Sequence, residues 1–338
     1  MRPIPTAIIG FGLSGRYLQA PFYRAHPGFT VHRVVTSRAD ELAEEFPDME
    51  PTTDLETVLA DPEIQLVSIA TPNATHYAFA RAALEAGKHV LVDKPACATA
   101  EQLRELRDLA SHKNLHLFVF QNRRWDSDFL TVRQLLDAGH LGELINYEAR
   151  YDRWKPAPNA KAWKETPGPG AGMLYDLGAH LIDQALALFG RPLDVQGSTW
   201  TQRGHSDIPD AFDLQLTYAA PLRVSLSCSL LVREPTPRFT LHGRHGSYVK
   251  YGVDVQEDQL RAGMAPDDTS FGTEPTAQDG ILHTELDGLT FRGPLTTLPG
   301  RWTELFDNMQ RVINGTAQPA VPLDDVIAQL ELIESVAG

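Results

Sequence analysis

Three stretches of this chain combine residue types and spacings that could do chemistry. The first is Gly10-Phe11-Gly12-Leu13-Ser14-Gly15, which follows the apolar run Thr6–Ile9 and leads into a helical stretch. In a strand–turn–helix of this kind Gly10 permits the tight turn, Gly12 lets the backbone approach a pyrophosphate, and Gly15 lets helix and sheet pack closely. Unpaired amides of the first helical turn, around Leu13 and Ser14, then face the phosphates. The second stretch is Asp93-Lys94-Pro95, read together with Thr71-Pro72-Asn73 and His76. Both tripeptides follow apolar runs, so they fall at strand C-termini, where ligands bind in open α/β sheets. A lysine held beside a nicotinamide can hydrogen-bond a reacting oxygen. The third is Asp176-Leu-Gly-Ala-His180-Leu-Ile-Asp183. On a helix these steps of four and seven residues return to one face, so an acid and an imidazole lie one turn apart. That pairing suits proton transfer, because the imidazole can change charge near neutral pH and the carboxylate can orient it.

The end of the second β-like run decides which dinucleotide is expected. An NAD site usually has Asp or Glu there for the ribose hydroxyls. This chain has Thr36-Ser37-Arg38, with no carboxylate before Asp40. A hydroxyl and a guanidinium suit a 2′-phosphate, which a carboxylate would repel. NADP is therefore expected over NAD. Asn122-Arg123-Arg124-Trp125-Asp126 is a dense polar and aromatic cluster. It reads equally as contact with polyol hydroxyls and cofactor (Asn122, Arg124, Trp125) or as an interdomain salt-bridge network. Trp154 and Trp163 could add a sugar-stacking wall, although tryptophans serve more often as ordinary packing.

These groups must be positioned by regular elements. Over the first 120 residues short β-rich runs alternate with helical ones, which predicts a parallel sheet with crossover helices. The strands are Thr6–Ile9, Val31–Val35, Leu66–Ala70, His89–Val92 and Leu115–Phe120. The helices lie at Ala39–Phe46, His76–Ala86 and Ala100–Ser111, the last opened by a Thr99-Ala-Glu-Gln102 capping box. After Gly142 a helix over Gly172–Phe189 is followed by β-like runs at Val195–Arg203, Phe212–Tyr218, Arg223–Val232 and Phe239–His242. Strands in succession predict a mostly antiparallel sheet. Residues 251–300, with nine acidic and two basic side chains and seven glycines, read as a long solvated excursion. Helices near Trp302–Ile313 and Asp324–Val336 close the chain. Two domains are expected: residues 1–122 to bind the dinucleotide, and residues 123–338 to form an α+β domain.

Composition bounds the rest. A chain of 338 residues suits two domains at about 100–200 residues each. Thirty Lys and Arg against 44 Asp and Glu give a net charge of −14. So acidic a chain, lacking a basic stripe, argues against a nucleic-acid partner. No apolar run approaches the ~18–20 residues of a membrane span, and the start has no secretory pattern. Cys97 and Cys228 are far apart with no ligand-spaced neighbours, which argues against a disulfide framework and a metal site. A cytoplasmic location is expected.

The glycine turn, Asp93-Lys94-Pro95 and the Asp176-x-x-x-His180 helix together resemble the glucose–fructose oxidoreductase / inositol dehydrogenase / rhizopine catabolism (Gfo/Idh/MocA) family. The resemblance is strongest to its NADP-dependent scyllo-inositol dehydrogenases and their relatives. It also covers Thr36–Arg38, Asn122–Asp126, Asp128–Thr131, Leu174–Gly178, His242-Gly243, Lys250–Gly252, Gln256–Asp258 and Leu260–Gly263. It implies an N-terminal Rossmann domain and a C-terminal domain whose large open sheet commonly mediates homodimers or tetramers, with the active site between domains. By the same resemblance the catalytic lysine falls on Lys94 and the acid–histidine pair on Asp176 and His180. One departure is Asp93, where the family usually has Glu; the charge is kept with a shorter reach. The activity so implied is hydride transfer between a secondary alcohol of a cyclic polyol or sugar and NADP. An aldose or keto-sugar reductase and a non-catalytic NADP(H) sensor are the alternatives, and retained proton-transfer groups count against the sensor.

Overall fold

The structure, a computed structural model, describes residues 2–158, 168, 170–204, 207–219, 221–286 and 288–337. Six strands come first: β1 (Ile4–Ile9), β2 (Phe29–Val35), β3 (Glu50–Thr52), β4 (Leu66–Ile69), β5 (His89–Val92) and β6 (Leu117–Val119). Five α-helices lie between them: α1 (Ala20–Ala25), α2 (Ala39–Glu45), α3 (Leu55–Ala60), α4 (His76–Glu85) and α5 (Ala100–His112). The remainder runs α6 (Ser127–Asp137), β7 (Leu144–Arg150), α7 (Ala179–Phe189), β8 (Asp194–Trp200), β9 (Ala211–Thr217), β10 (Arg223–Ser229), β11 (Phe239–Gly243) and β12 (Gly246–Lys250). Then come α8 (Gln256–Arg261), β13 (Gly280–Leu286), β14 (Leu289–Leu295), α9 (Thr303–Ile313) and α10 (Leu323–Ala337).

The first sheet is parallel throughout, in the order β3-β2-β1-β4-β5-β6. That is the order of a doubly wound dinucleotide-binding sheet. All four residues of β4 and all three of β6 are buried, as strands covered on both faces must be. The short β3 and α3 escape periodicity, because three residues and six residues carry too little pattern. At α5 the Thr99 Oγ1 accepts from the Gln102 amide at 3.2 Å, but the Gln102 side chain takes the amide of Ala98, one residue before the cap.

By contacts the chain divides into two compact units. One holds residues 1–122 together with 256–271 and 302–327; the other holds 123–255, 272–301 and 328–338. Two segments that the sequence boundary leaves with the second domain therefore belong to the first unit. Aromatic packing accounts for this. The Phe306 ring of α9 stacks on Phe22 at 4.9 Å and meets Tyr23 edge-on at 5.0 Å, while Phe271 and Trp302 close on Phe22 at 5.9 and 6.3 Å. Burying rings of this size outweighs the chain distance between them.

The second unit is built on an eight-stranded sheet in the order β14-β13-β12-β11-β7-β10-β9-β8. Among its described strands only β7 and β10 pair in parallel; the other pairings are antiparallel. One face buries Tyr147, Ala149, Leu214, Leu226, Phe239, Leu241 and Tyr248 against α6 and α7. Residues 251–300 are not the solvated excursion that their composition implies. They supply α8 and the β13–β14 hairpin that completes the sheet. Among the described acids of this stretch two are buried: Asp254 accepts the Ser127 amide at 2.8 Å, and Glu274 pairs with Lys250 at 2.6 Å. Burial raises the Glu274 carboxyl, opposed by hydrogen bonds from Lys250 and Ser127. Lys250 spends its other donors on the carbonyls of Tyr251 and Gln278. Composition could not separate these acids from solvated ones, because their partners are remote in sequence.

Cys97 and Cys228 are both buried, and burial pushes their thiols up to about 12. Among the described residues no helix is long and apolar enough to cross a membrane, and no group of three or more His, Cys, Asp or Glu could hold a metal ion.

Gly178 precedes α7, and a Cβ built there would meet Leu174 Cδ1 at 2.8 Å and the Phe212 ring at 3.2 Å. Phe212 is wholly buried and cannot retreat. Gly178→Ala is expected to lower stability by about 1–3 kcal/mol through overpacking, read as a fall in the urea midpoint. An unchanged midpoint would show that this contact relaxes freely.

Candidate functional site

In the first unit, β1 hands over to the glycine turn. Gly10 has φ +99°, and its amide donates to Val35 O at 2.9 Å. A Cβ there would lie 2.7 Å from Ala70 O; one at Gly15 would lie 2.0 Å from Gly10 O. Both glycines are demanded by backbone packed on backbone. At Gly12 an added Cβ meets nothing within 4 Å, so the middle of the turn borders open space. That is the cradle a pyrophosphate needs, and the residues present fit a dinucleotide.

The helix after this turn opens as a π-helical segment, Ser14–Gln19, before continuing as α1. Pro21 explains the wider turn, since its ring would collide with the carbonyl of a regular α-turn. A polar string anchors the segment. The Tyr23 hydroxyl donates to Ser68 Oγ (3.0 Å), Ser68 Oγ to Gln19 Oε1 (2.7 Å), and Gln19 Nε2 to Ser14 Oγ (3.1 Å). Ser14 therefore accepts from Gln19 and keeps its own proton to donate outward. Sequence reasoning missed Gln19 and Tyr23. Helical spacing from Ser14 could have flagged them, but their partner Ser68 lies on another strand.

At the end of β2 the Arg38 amide donates to Thr36 Oγ1 at 3.0 Å, which curls the chain back. Ser37 and Arg38 are exposed, and Arg38 Nη1 reaches the Phe11 carbonyl at 3.4 Å. The two ends of the adenosine side, the glycine turn and the β2 terminus, are thereby tied together.

The loops after β4 and β5 are neighbours, because those strands pair directly. His76 joins them. It is completely buried, with Nδ1 2.8 Å from Pro95 O and Nε2 2.9 Å from Thr71 O. Both ring nitrogens are thus occupied by main-chain carbonyls. The sequence reading placed His76 among groups contacting a cofactor; its position is that of a clasp holding Thr71-Pro72-Asn73 against Asp93-Lys94-Pro95. Thr71 and Thr75 hydroxyls bond each other at 2.7 Å, and Asn73 opens a short 3-10 turn. Lys94 and Asp93 are part-buried, and Asp93 Oδ1 accepts the Lys94 amide at 2.7 Å.

In the second unit, Asp176 lies in a π-helical turn, Leu174–Gly178, that runs into α7. The sequence predicts one continuous α-helix here. Gly172, with φ +95° and its Cβ position 3.2 Å from Pro209 O, stands two residues before this turn, and the tightly seated Gly178 closes it. Asp176 is half-buried, and His180 is 4% exposed at the start of α7. The third member of the stripe is committed: Asp183 binds Arg124 through two bonds, Nε to Oδ2 at 2.9 Å and Nη2 to Oδ1 at 2.8 Å. Next to it, Gln184 donates to Arg123 O at 2.8 Å and accepts from Arg238 Nη2 at 2.7 Å. Arg238 is itself held between the rings of Tyr151 and Phe239, 4.0 Å from each centroid. Of the cluster read as substrate contacts, Asn122, Arg124 and Trp125 are all buried, and Arg124 is the anchor of α7. Trp154 is exposed beside the Arg233 guanidinium at 5.3 Å. Trp163 lies outside the described residues.

Comparison with known proteins agrees with this geometry. Residues 4–121 match the model of the oxidoreductase family with an NAD-binding Rossmann fold (Gfo/Idh/MocA), and residues 129–249 match the C-terminal domain of the same family. The chain is 39% identical to scyllo-inositol 2-dehydrogenase (NADP+) of Bacillus subtilis over 98% of its own length and 92% of that protein. An uncharacterised oxidoreductase of Escherichia coli is 38% identical, with 98% and 94% covered. Among solved structures, an oxidoreductase of Bacillus subtilis superposes with a TM-score of 0.96 at 36% identity, covering all of this chain and 96% of the other. With a glycine turn, sheet order and two-domain match of this extent, the chain belongs to the Gfo/Idh/MocA family of oxidoreductases.

Proposed function

We propose that this oxidoreductase is an NADP-dependent dehydrogenase acting on a secondary alcohol of a cyclic polyol, inositol-like, or of a sugar. The observation that carries the reading is the terminus of β2. There Thr36, Ser37 and Arg38 offer hydroxyls and a guanidinium where an NAD site presents a carboxylate. The similarity to an NADP-dependent scyllo-inositol dehydrogenase supports both coenzyme and substrate class.

Gly10, Gly12, Leu13, Ser14 and Gly15 would hold the pyrophosphate, and Ser37 and Arg38 the 2′-phosphate. Thr71, Pro72, Asn73, Asp93 and Lys94 would border the nicotinamide side. The bound nucleotide supplies or accepts hydride at C4 of its nicotinamide. His180 takes the hydroxyl proton, and Asp176 orients the imidazole or binds the neighbouring hydroxyl. Lys94 hydrogen-bonds the reacting oxygen and stabilises charge on it. Trp154 contributes to the substrate surface, while the buried Arg124 supports α7 from within. The protein works as a homo-oligomer in the cytoplasm.

Two outcomes test this. Against a panel of inositols and sugars followed by nicotinamide absorbance, Lys94→Ala and His180→Ala should each lower kcat by about 10²–10⁴-fold, the usual worth of positioned acid–base groups, with NADPH binding largely retained. Near-normal turnover in both variants would remove the mechanism. Arg38→Ala should raise KM for NADP by about ten- to hundredfold, the worth of about 1.5–3 kcal/mol for hydrogen bonds to a charged group, and leave KM for NAD nearly unchanged. A native preference for NAD, indifferent to this substitution, would end the NADP reading.

A further inference from the structure

The helix that follows the expected 2′-phosphate position is acidic: α2 reads Ala39-Asp-Glu-Leu-Ala-Glu-Glu45. Asp40 and Glu41 stand in its first turn, directly after Arg38. A phosphate monoester beside four carboxylates would be repelled, and Arg38 would be drawn to the nearest of them. Glu41 is that nearest acid, three residues on, with Oε1 3.9 Å from Arg38 Nε. Yet its other oxygen is held elsewhere. Arg16, immediately after the last glycine of the turn, bonds Glu41 Oε2 through Nη1. The same guanidinium grips Glu45 at two points, Nε to Oε2 at 2.8 Å and Nη2 to Oε1. Arg16 is well seated for this, with its side chain 19% exposed and its guanidinium 5.1 Å from the Tyr17 ring and 5.9 Å from the Phe11 ring. Arg38, at 49% exposed, remains the looser of the two.

We propose that Arg16 is a specificity-determining residue for the coenzyme: it takes Glu41 Oε2 and both oxygens of Glu45, leaving Glu41 only a loose 3.9 Å contact with Arg38, so that the Arg38 guanidinium and Ser37 stay available to a 2′-phosphate. This rests on the NADP reading above. Arg16 is a positioning residue, acting through Glu41 rather than by touching the nucleotide. Without it, Glu41 closes on Arg38 at helical i,i+3 spacing and the freed carboxylates restore the repulsion. NADH carries no 2′-phosphate, so its binding does not depend on this arrangement.

Equilibrium dissociation constants for NADPH and NADH, measured by calorimetry on the full-length protein without substrate, separate the outcomes. Arg16→Met should weaken NADPH by about tenfold, the size of a partly screened like-charge interaction, and leave NADH unchanged. The triple variant Arg16→Met, Glu41→Gln, Glu45→Gln should recover NADPH affinity although the arginine is still missing. The loss in Arg16→Met should shrink as salt is raised. Equal weakening of both coenzymes, with no recovery in the triple variant, would show that Arg16 merely holds the turn in shape and would overturn the proposal. Arg38→Ala in the same assay keeps the two readings apart. If Arg38→Ala loses NADPH selectively while Arg16→Met does not, the NADP reading stands and the role of Arg16 falls. If neither variant discriminates, both fall.

Discussion

The first unit depends on one close approach, that of Gly15 to the carbonyl of Gly10 at the end of β1. With only 2.0 Å between that oxygen and the place a Cβ would take, no other residue type lets the helix start so near the strand it leaves. Everything downstream inherits its direction from this contact. The helix begins at the C-terminal end of β1, an inner strand between β2 and β4. Pro21 then forces the wide segment from Ser14 to Gln19. Gln19 is thereby turned inward onto Ser68 and Ser14, and Arg16 is turned sideways onto α2. Binding geometry here is a by-product of packing geometry.

Charge sets the second constraint. A protein of net charge −14 gains nothing from its overall field when it takes up a nucleotide that is itself anionic. Recognition has to be local, through donors within hydrogen-bond reach and through the removal of nearby acids. The site shows both devices. Ser14 is oriented by a neutral string ending at the buried Tyr23, whose hydroxyl burial holds in its protonated form. Two of the four acids of α2, Glu41 and Glu45, are engaged by Arg16 of the same unit.

What the sequence conveyed, and what it did not, follows from the range of the interactions concerned. Gly10, Gly12 and Gly15 are legible because their spacing lies within six residues, although the carbonyl that Gly10 must clear belongs to Ala70. β4 and β6 are legible because strands buried on both faces are almost wholly apolar, the one exception being Ser68, whose hydroxyl is taken up by Tyr23 and Gln19. The β13–β14 hairpin is hidden by the reverse circumstance. Its outer strand is largely exposed, so it carries charge and glycine like any solvated loop. His76 and Arg124 illustrate the same limit within the candidate site. Each is a polar residue at a promising place, and only the structure shows that the ring of one is filled by two carbonyls and the fork of the other by a carboxylate 59 residues away.

That last pairing explains why α7 can present a histidine at all. Asp183 and Gln184 follow His180 by three and four residues, so all three lie along one side of the helix. In a buried setting an arginine–carboxylate pair repays its desolvation only when the geometry is good and the remaining hydrogen-bonding capacity is filled. Arg124 supplies the first with two parallel bonds, and the chain from Gln184 to Arg238 and the Arg123 carbonyl extends the network beside it. Rotating α7 about its axis would break these contacts together. The imidazole of His180 is therefore fixed by groups that need take no part in proton transfer. The stripe read from spacing resolves into one buried imidazole, one half-buried acid a turn ahead of it, and one acid given over to support.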